Sequence, residues 1–151
     1  MTNETAAETD ASAQARRRAA VAKIMQDYRD DAIVNDPLFG EPLVGKAAIA
    51  THKLAEMIAI SDVSLEVTER WTSGNQLFAN WEFSGVHSGP FYNLPATGNR
   101  IKISGSTVVT REDGLIAQET LYYDAEQMRR QLSGESTEAD DEQPRQEGDP
   151  E

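Results

Sequence analysis

Glu119 and His87 are the residues of this sequence whose types and positions best suit proton-transfer chemistry. Both lie in segments where apolar and polar side chains alternate, and the alternation puts both on the apolar side. Burial disfavours the charged form of a carboxylate, so such a glutamate can exchange a proton near neutral pH, as a histidine ring also can. Two alternatives stay open: Glu119 lies at a wet rim or pairs with an arginine, and His87 fixes a loop through backbone hydrogen bonds.

The side on which Glu119 lies follows from the hairpin that contains it. Glu112-Asp113-Gly114 suits a three-residue turn with glycine in the left-handed region. That turn predicts Thr107 opposite Glu119 and Ile103 opposite Tyr123, with the apolar members of both strands on one face. Thr107 and Tyr123 beside Glu119 are therefore candidate polar contacts for a substrate, and Leu121 is a candidate apolar one.

Further candidates are weaker on the residues alone. Asp36 precedes Pro37, which is typical of a turn, and it is also a candidate polar contact for a substrate. Tyr28 and Trp81 suit a core and are candidates for a pocket wall. His52 lies one helical turn before Glu56, and an exposed pair explains both residues, so no function is assigned to His52.

The elements that must position these residues form an α+β pattern. Apolar spacing predicts a helix over 16–30 and a second over Lys46–Ile60, with a short extended piece, Ala32–Asn35, between them. After the second helix, apolar and polar residues alternate, which predicts four antiparallel strands, the last over Leu115–Tyr123. A short helix capped by Asp124 is predicted to follow. We expect a curved antiparallel sheet closed by the N-terminal helices, with a pocket at its mouth.

Composition divides the chain into a body and two tails. Residues 1–15 predict a flexible N-terminal tail and residues 133–151 a disordered acidic one, leaving a folded domain over 16–132. The net charge is -12, of which the two tails hold -10. No basic stripe suggests nucleic acid, and no apolar run suggests a membrane partner. With no cysteine and two histidines, no metal site is expected, and the default location is cytoplasmic.

The stretch from Gly85 to Leu132 resembles the SnoaL-like polyketide (ester) cyclase family. The resemblance rests on Gly85-Val-His87-Ser-Gly89, Leu94-Pro95-Ala96-Thr97-Gly98-Asn99-Arg100, Ser104-Gly105, Asp113-Gly114 and Arg130-Gln131-Leu132, with weaker agreement back through Asn35-Asp36-Pro37 and Gly45. It implies an α+β cone of the nuclear transport factor 2-like kind, commonly dimeric, with a hydrophobic cavity. It also implies intramolecular aldol chemistry that needs no metal or organic cofactor.

The sequence departs from this family where its chemistry is placed. The family's acid/base aspartate falls on Leu121, its partner histidine on Thr107 and a nearby glutamine on Gly105. Leucine cannot transfer a proton, so the family's known mechanism does not carry over. Two hypotheses remain: an enzyme that cyclises, isomerises or dehydrates a small apolar carbonyl compound with Glu119 and His87, or a non-catalytic ligand-binding or dimerisation module. A homodimer is expected in either case, with the polar outer sheet face around Lys102, Ser104, Ser106, Gln118, Thr120 and Tyr122 as a candidate interface.

Overall fold

The computed structural model describes residues 2–134, with side chains from residue 10 onward. The elements in chain order are α1 (Thr2–Met25), β1 (Tyr28–Asn35), β2 (Leu43–Val44), α2 (Lys46–Ala59), β3 (Ile60–Ser73), β4 (Gln76–His87), β5 (Arg100–Glu112), β6 (Leu115–Tyr123) and α3 (Ala125–Ser133). No helix in this part of the chain is long and apolar enough to span a membrane.

The six strands form one curved sheet in the order β2-β1-β6-β5-β4-β3. Strands β3 to β6 are the predicted antiparallel meander, and the predicted α+β class is confirmed. The sheet is mixed rather than purely antiparallel, because β1 runs parallel to β6. Helix α2 provides the crossover that sequence alternation alone could not reveal, since it returns the chain from the short hairpin β1–β2 to the far edge of the sheet.

The first helix differs from its prediction at both ends. It begins at Thr2, within the segment predicted as a flexible tail, and it stops at Met25 rather than near residue 30. Val21 and Met25 are buried as expected, but Tyr28 opens strand β1, where it lies opposite Ile116. The helical spacing of Tyr28 was therefore misleading, because pairing with β6 outweighs the local periodicity.

The hairpin β5–β6 has a different register from the predicted one. Its turn contains two residues, Asp113 and Gly114, both with positive φ (54° and 82°), as a type I′ turn requires. A bulge opposite Thr110 and Arg111 then adds one residue, Ala117, to β6. Turn and bulge together shift the predicted pairing by two residues, so Glu119 lies opposite Val109. A shift of two preserves the faces, and Glu119 still points to the apolar side.

Strand β3 also contains a bulge that changes one predicted face. Val63, Leu65 and Val67 share the inner face, with Leu65 opposite Phe83. The bulge between Val67 and Glu69 then reverses the alternation, so Trp71 lies opposite Phe78 on the outer face. Strict alternation from Val63 predicts Trp71 on the inner face, and this prediction is wrong because of the bulge. Phe78, an apolar residue at a position where alternation from Leu77 predicts a polar one, packs against Trp71 on the outer face.

The chain after β6 follows the sequence closely. The Asp124 side chain accepts a hydrogen bond from the Gln127 amide and so caps α3, as predicted. Gly134, at φ 85°, ends the helix in the left-handed conformation. Leu132 is buried and fixes α3 to the body. The predicted acidic tail lies outside the described residues from residue 135 onward.

Candidate functional site

A cavity of about 470 Å³ opens on the inner face of the sheet. This volume is in the range of small-molecule sites. Most of its wall is apolar, formed by side chains from the helices, the strands and the 88–99 loop: Ile24, Leu38, Met57, Ile60, Val63, Leu65, Trp81, Phe83, Phe91, Ile103, Leu121, Met128 and Leu132. The polar members of the wall are Asp36, His52, Lys53, Glu56, Thr107, Glu119 and Tyr123.

Glu119 lies in this wall and is held by Tyr28. The Tyr28 hydroxyl donates a 2.5 Å hydrogen bond to Glu119 Oε1. Burial of Tyr28, together with the adjacent carboxylate, raises the pKa of its hydroxyl well above the ordinary value, so Tyr28 remains a donor at physiological pH. One carboxylate oxygen is thereby fixed while the side chain remains part of the cavity lining.

Lys53 adds a positive charge to the same part of the wall. Its ammonium lies 5.3 Å from the centroid of the Tyr28 ring, a cation–π distance. Among the described residues Lys53 forms no ion pair within 4 Å. Tyr28 in the cavity wall therefore has a cation over its ring and a carboxylate at its hydroxyl.

A second polar group is built around His52, which the sequence left without a function. His52 is 6% exposed, and its Nε2 lies 3.6 Å from Asp36 Oδ2 and 3.4 Å from Glu56 Oε2. Burial by itself would lower the pKa of His52, but the two carboxylates more than offset it and raise it to about 10. The imidazolium is therefore the expected form at neutral pH. The His52–Glu56 pair expected from the sequence is present, but the expectation that His52 is exposed is wrong, because α2 turns its His52 face toward the cavity.

Two tyrosines hold this group in place. The Tyr123 hydroxyl donates a 2.5 Å hydrogen bond to Asp36 Oδ1, and the Leu38 amide donates to the same oxygen at 3.0 Å. Burial would raise the pKa of Asp36, but these hydrogen bonds and His52 outweigh burial and lower it. The Tyr92 hydroxyl lies 2.9 Å from His52 Nδ1, and Tyr92 takes a positive φ of 54° there. Asp36 thus combines its predicted turn role with a place in the cavity wall.

The region where the family's acid/base residues were expected is closed by Trp81. The Trp81 Nε1 donates a 2.8 Å hydrogen bond to Thr107 Oγ1, so this hydroxyl already has a partner. A Cβ at Gly105 would lie 2.6 Å from the Trp81 ring, which leaves no room for a side chain there. Leu121 lines the cavity as an apolar residue. Trp81 therefore fills the space that the departures at 105 and 107 leave open.

His87 does not line the cavity. It is fully buried, and its Nδ1 lies 2.9 Å from the Leu132 carbonyl oxygen and 3.1 Å from Thr97 Oγ1. Its backbone hydrogen bonds to Asn99 and Gly98 close the 88–99 loop. The predicted catalytic role is thus not supported by its position. These contacts agree with the alternative interpretation, in which His87 fixes the loop through its backbone, and the ring also connects the loop to α3.

The cavity contains two polar groups, whereas the sequence predicted one, around Glu119. Glu119 and Tyr123 are four residues apart on β6, and four residues of a strand span about 13 Å. The Tyr28–Glu119 pair and the Asp36–Tyr123 pair therefore lie apart along β6, and Lys53, which follows His52 on α2, reaches the Tyr28 ring. The second group could have been found from α2, where Ile49, His52, Glu56 and Ala59 recur at intervals of three and four residues, the spacing of one helix face.

The second group is also where a cation could bind. Within the described residues, Asp36, His52 and Glu56 form the one set of three potential metal ligands, with ligand atoms within 4.8 Å of one another. A carboxylate pair with one imidazole suits a divalent transition metal.

Comparison with known proteins identifies the family to which this chain belongs. The family model for SnoaL-like polyketide cyclases matches residues 9–132, and the chain belongs to that family. No curated protein matches significantly.

Solved structures agree on the fold. A SnoaL-like protein of Jannaschia sp. CCS1 has 13% identity and a TM-score of 0.66, over 79% of this chain and 80% of that one. A polyketide cyclase-like protein of Pseudomonas putida KT2440 has 20% identity and a TM-score of 0.61, over 78% and 90%. A ketosteroid isomerase-like protein of Catenulispora acidiphila, solved with trimethylamine, has 16% identity and a TM-score of 0.59, over 72% and 78%. At these identities the likeness shows the fold alone.

Proposed function

We propose that this protein is an enzyme that transfers protons on a small, apolar, carbonyl-bearing substrate bound in the cavity. The observation that carries the proposal is the Glu119 carboxylate, held at one oxygen by Tyr28 in a largely apolar wall. Cyclisation, isomerisation and dehydration of such substrates share one first step, removal of a proton beside a carbonyl. A positioned carboxylate is suited to this step.

Three residues act together in the proposed reaction. Glu119 accepts the proton with its free oxygen, and Tyr28 positions the carboxylate. The Lys53 ammonium stabilises the negative charge that develops on the carbonyl oxygen, because opposite charges interact strongly where apolar walls exclude water. The proton transfer itself then requires no organic cofactor. The apolar side chains around Leu121 and Trp81 bind the carbon skeleton of the substrate.

The experiment that tests the proposal is deuterium exchange at carbon in D2O. A panel of apolar ketones and 1,3-diketones is incubated with the protein, and loss of the α-proton signal is followed by NMR. We expect the protein to accelerate exchange of at least one compound. Glu119→Gln should reduce that acceleration by about 10²-fold or more, because general acid–base catalysis contributes this much. Glu82→Gln, the same change on the exposed outer face, should leave it unchanged.

The second candidate function is a non-catalytic ligand-binding module. It is favoured by Leu121 and by Thr107, whose hydroxyl already accepts from Trp81. If the ketones shift the Trp81 indole resonance equally in the wild type and in Glu119→Gln, while neither accelerates exchange, the enzyme proposal is wrong and the module stands.

A homodimer through the outer sheet face is part of the proposal. Trp71, Phe78 and Val108 lie side by side across β3, β4 and β5 on that face. Trp71 is 52% exposed, and Tyr122, in the neighbouring row, is 58% exposed. Exposed aromatic residues among polar ones are typical of interface anchors.

A further inference from the structure

We propose that Asp36, His52 and Glu56 bind a divalent transition-metal ion in the wall of the cavity. His52 is more than nine-tenths buried, and its Nε2 has no hydrogen-bond partner among the described residues. That nitrogen is directed at two carboxylate oxygens, at 3.6 Å and 3.4 Å. A nitrogen that faces two carboxylates but is hydrogen-bonded to neither is an arrangement that a metal cation, replacing the proton, would complete.

The distances suit coordination with little movement. Zinc–nitrogen and zinc–oxygen bonds of about 2.1 Å place two ligands of a tetrahedral site about 3.4 Å apart. The His52–Asp36 and His52–Glu56 separations already have this size. Glu56 has a half-exposed side chain, so it can adjust to the ion, whereas Asp36 and His52 are held by their buried surroundings.

Neighbouring hydroxyls orient both buried ligands. The Tyr123 hydroxyl occupies Asp36 Oδ1 and leaves Oδ2 free for an ion. The Tyr92 oxygen can accept the hydrogen on His52 Nδ1, which leaves the Nε2 lone pair for the ion. Metal-binding histidines in proteins are oriented in this way by a partner on the second ring nitrogen.

The ligand types limit the ion. One imidazole and two carboxylates suit Zn²⁺, Mn²⁺, Fe²⁺ or Co²⁺ better than Ca²⁺ or Mg²⁺, which prefer oxygen ligands alone. All three residues line the cavity, so a remaining coordination position faces it and can bind water or an oxygen of a bound molecule. Binding replaces the proton on His52, which is released to solvent. The site is independent of the chemistry proposed for Glu119.

The test is metal binding by the full chain after treatment with a chelator. Calorimetry with Zn²⁺, and the visible absorption of Co²⁺, should show one ion per chain at a low-coordinate site. We expect His52→Gln to abolish this binding and Glu56→Gln to weaken it about tenfold or more. Glu66→Gln, the same change on an exposed strand, should have no effect. Thermal melts without metal check that each variant folds.

Histidine NMR gives a second readout, because the chain has two histidines. Zn²⁺ should convert His52 to the form protonated at Nδ1 alone and leave the ring signals of His87 unchanged. The proposal is overturned if no ion binds, if His52→Gln retains the bound ion, or if Zn²⁺ leaves the His52 ring signals unaltered. None of these results depends on the exchange experiment, so failure of the metal site and failure of the Glu119 proposal are distinguishable.

Discussion

Tyr28 was predicted to lie in the first helix but lies in β1, and its side chain is nevertheless part of the candidate site. Its helical spacing suggested α1, yet as the first residue of β1 its hydroxyl reaches across to Glu119 on β6. The parallel pairing of β1 and β6 makes this contact possible, because it places Tyr28 opposite Ile116, three residues before Glu119 on β6. The chemistry proposed for Glu119 therefore depends on a tertiary contact that no local pattern contains.

We expect Tyr28→Phe to lower stability more at pH 7 than at pH 11. Folding raises the pKa of Tyr28 above its ordinary value of about 10. The contribution of the protonated hydroxyl to the free energy of unfolding is therefore fully present below pH 10 and is lost as the pH rises above it. The unfolded chain then releases a proton that the folded chain retains. The difference in free energy of unfolding between wild type and Tyr28→Phe should narrow by about 1.4 kcal/mol at pH 11. Each pH unit above the pKa in the unfolded chain changes the free energy of unfolding by this amount.

Urea denaturation at the two pH values measures this gap. Ile116→Val is the control, because Ile116 lies opposite Tyr28 and has no ionisable group. Its effect on stability should be the same at both pH values. A Tyr28→Phe gap that stays constant from pH 7 to pH 11 would contradict the raised pKa.

At the scale of elements, His87 joins three of them. It ends β4, closes the 88–99 loop through its backbone and reaches the C-terminal turn of α3 through its ring. We expect His87→Ala to destabilise the protein by about 2 kcal/mol, because the Leu132 carbonyl loses its buried partner. Hydrogen exchange should show the largest loss of protection in α3 and the loop.

His87→Asn separates this structural role from a catalytic one. The asparagine amide can occupy the position of the ring Nδ1 and donate to Leu132, so this variant should recover part of the stability. Ketone binding and exchange in the cavity should persist in a folded His87→Asn protein. Loss of exchange at unchanged stability would instead support the catalytic role that the sequence suggested for His87.

Local patterns predicted the elements of this fold better than their contacts. The strands, the Asp124 cap and the inner face of Glu119 follow from alternation and turn chemistry, which act over a few residues. The bulges at Thr110/Arg111 and Val67/Glu69 were not predictable, because a bulge is set by the partner strand. His52 was missed for a related reason, since its partners Asp36 and Tyr92 are 16 and 40 positions away and meet it only in the folded chain.

At the scale of the whole molecule, the two sides of the sheet differ in what they offer a partner. The inner side holds the cavity, whose open edge is formed by Val63 and Leu65 of β3. The outer side combines small polar residues with the exposed aromatic side chains of Trp71 and Tyr122. Residues 16–132 hold only -2 of the net charge of -12, so two copies of this body can approach without strong repulsion.

We expect the protein to be a dimer in solution, with twice the chain mass of 16.6 kDa by light scattering after size exclusion. Trp71→Lys should shift it toward monomer, because a charge placed in the apolar row of the outer face would be buried without a partner. Leu65→Lys is the matched control, since Leu65 is also exposed on β3 but faces the cavity side. A monomeric wild type would contradict the predicted dimer. Dissociation by Leu65→Lys rather than Trp71→Lys would place the interface elsewhere than on the outer face.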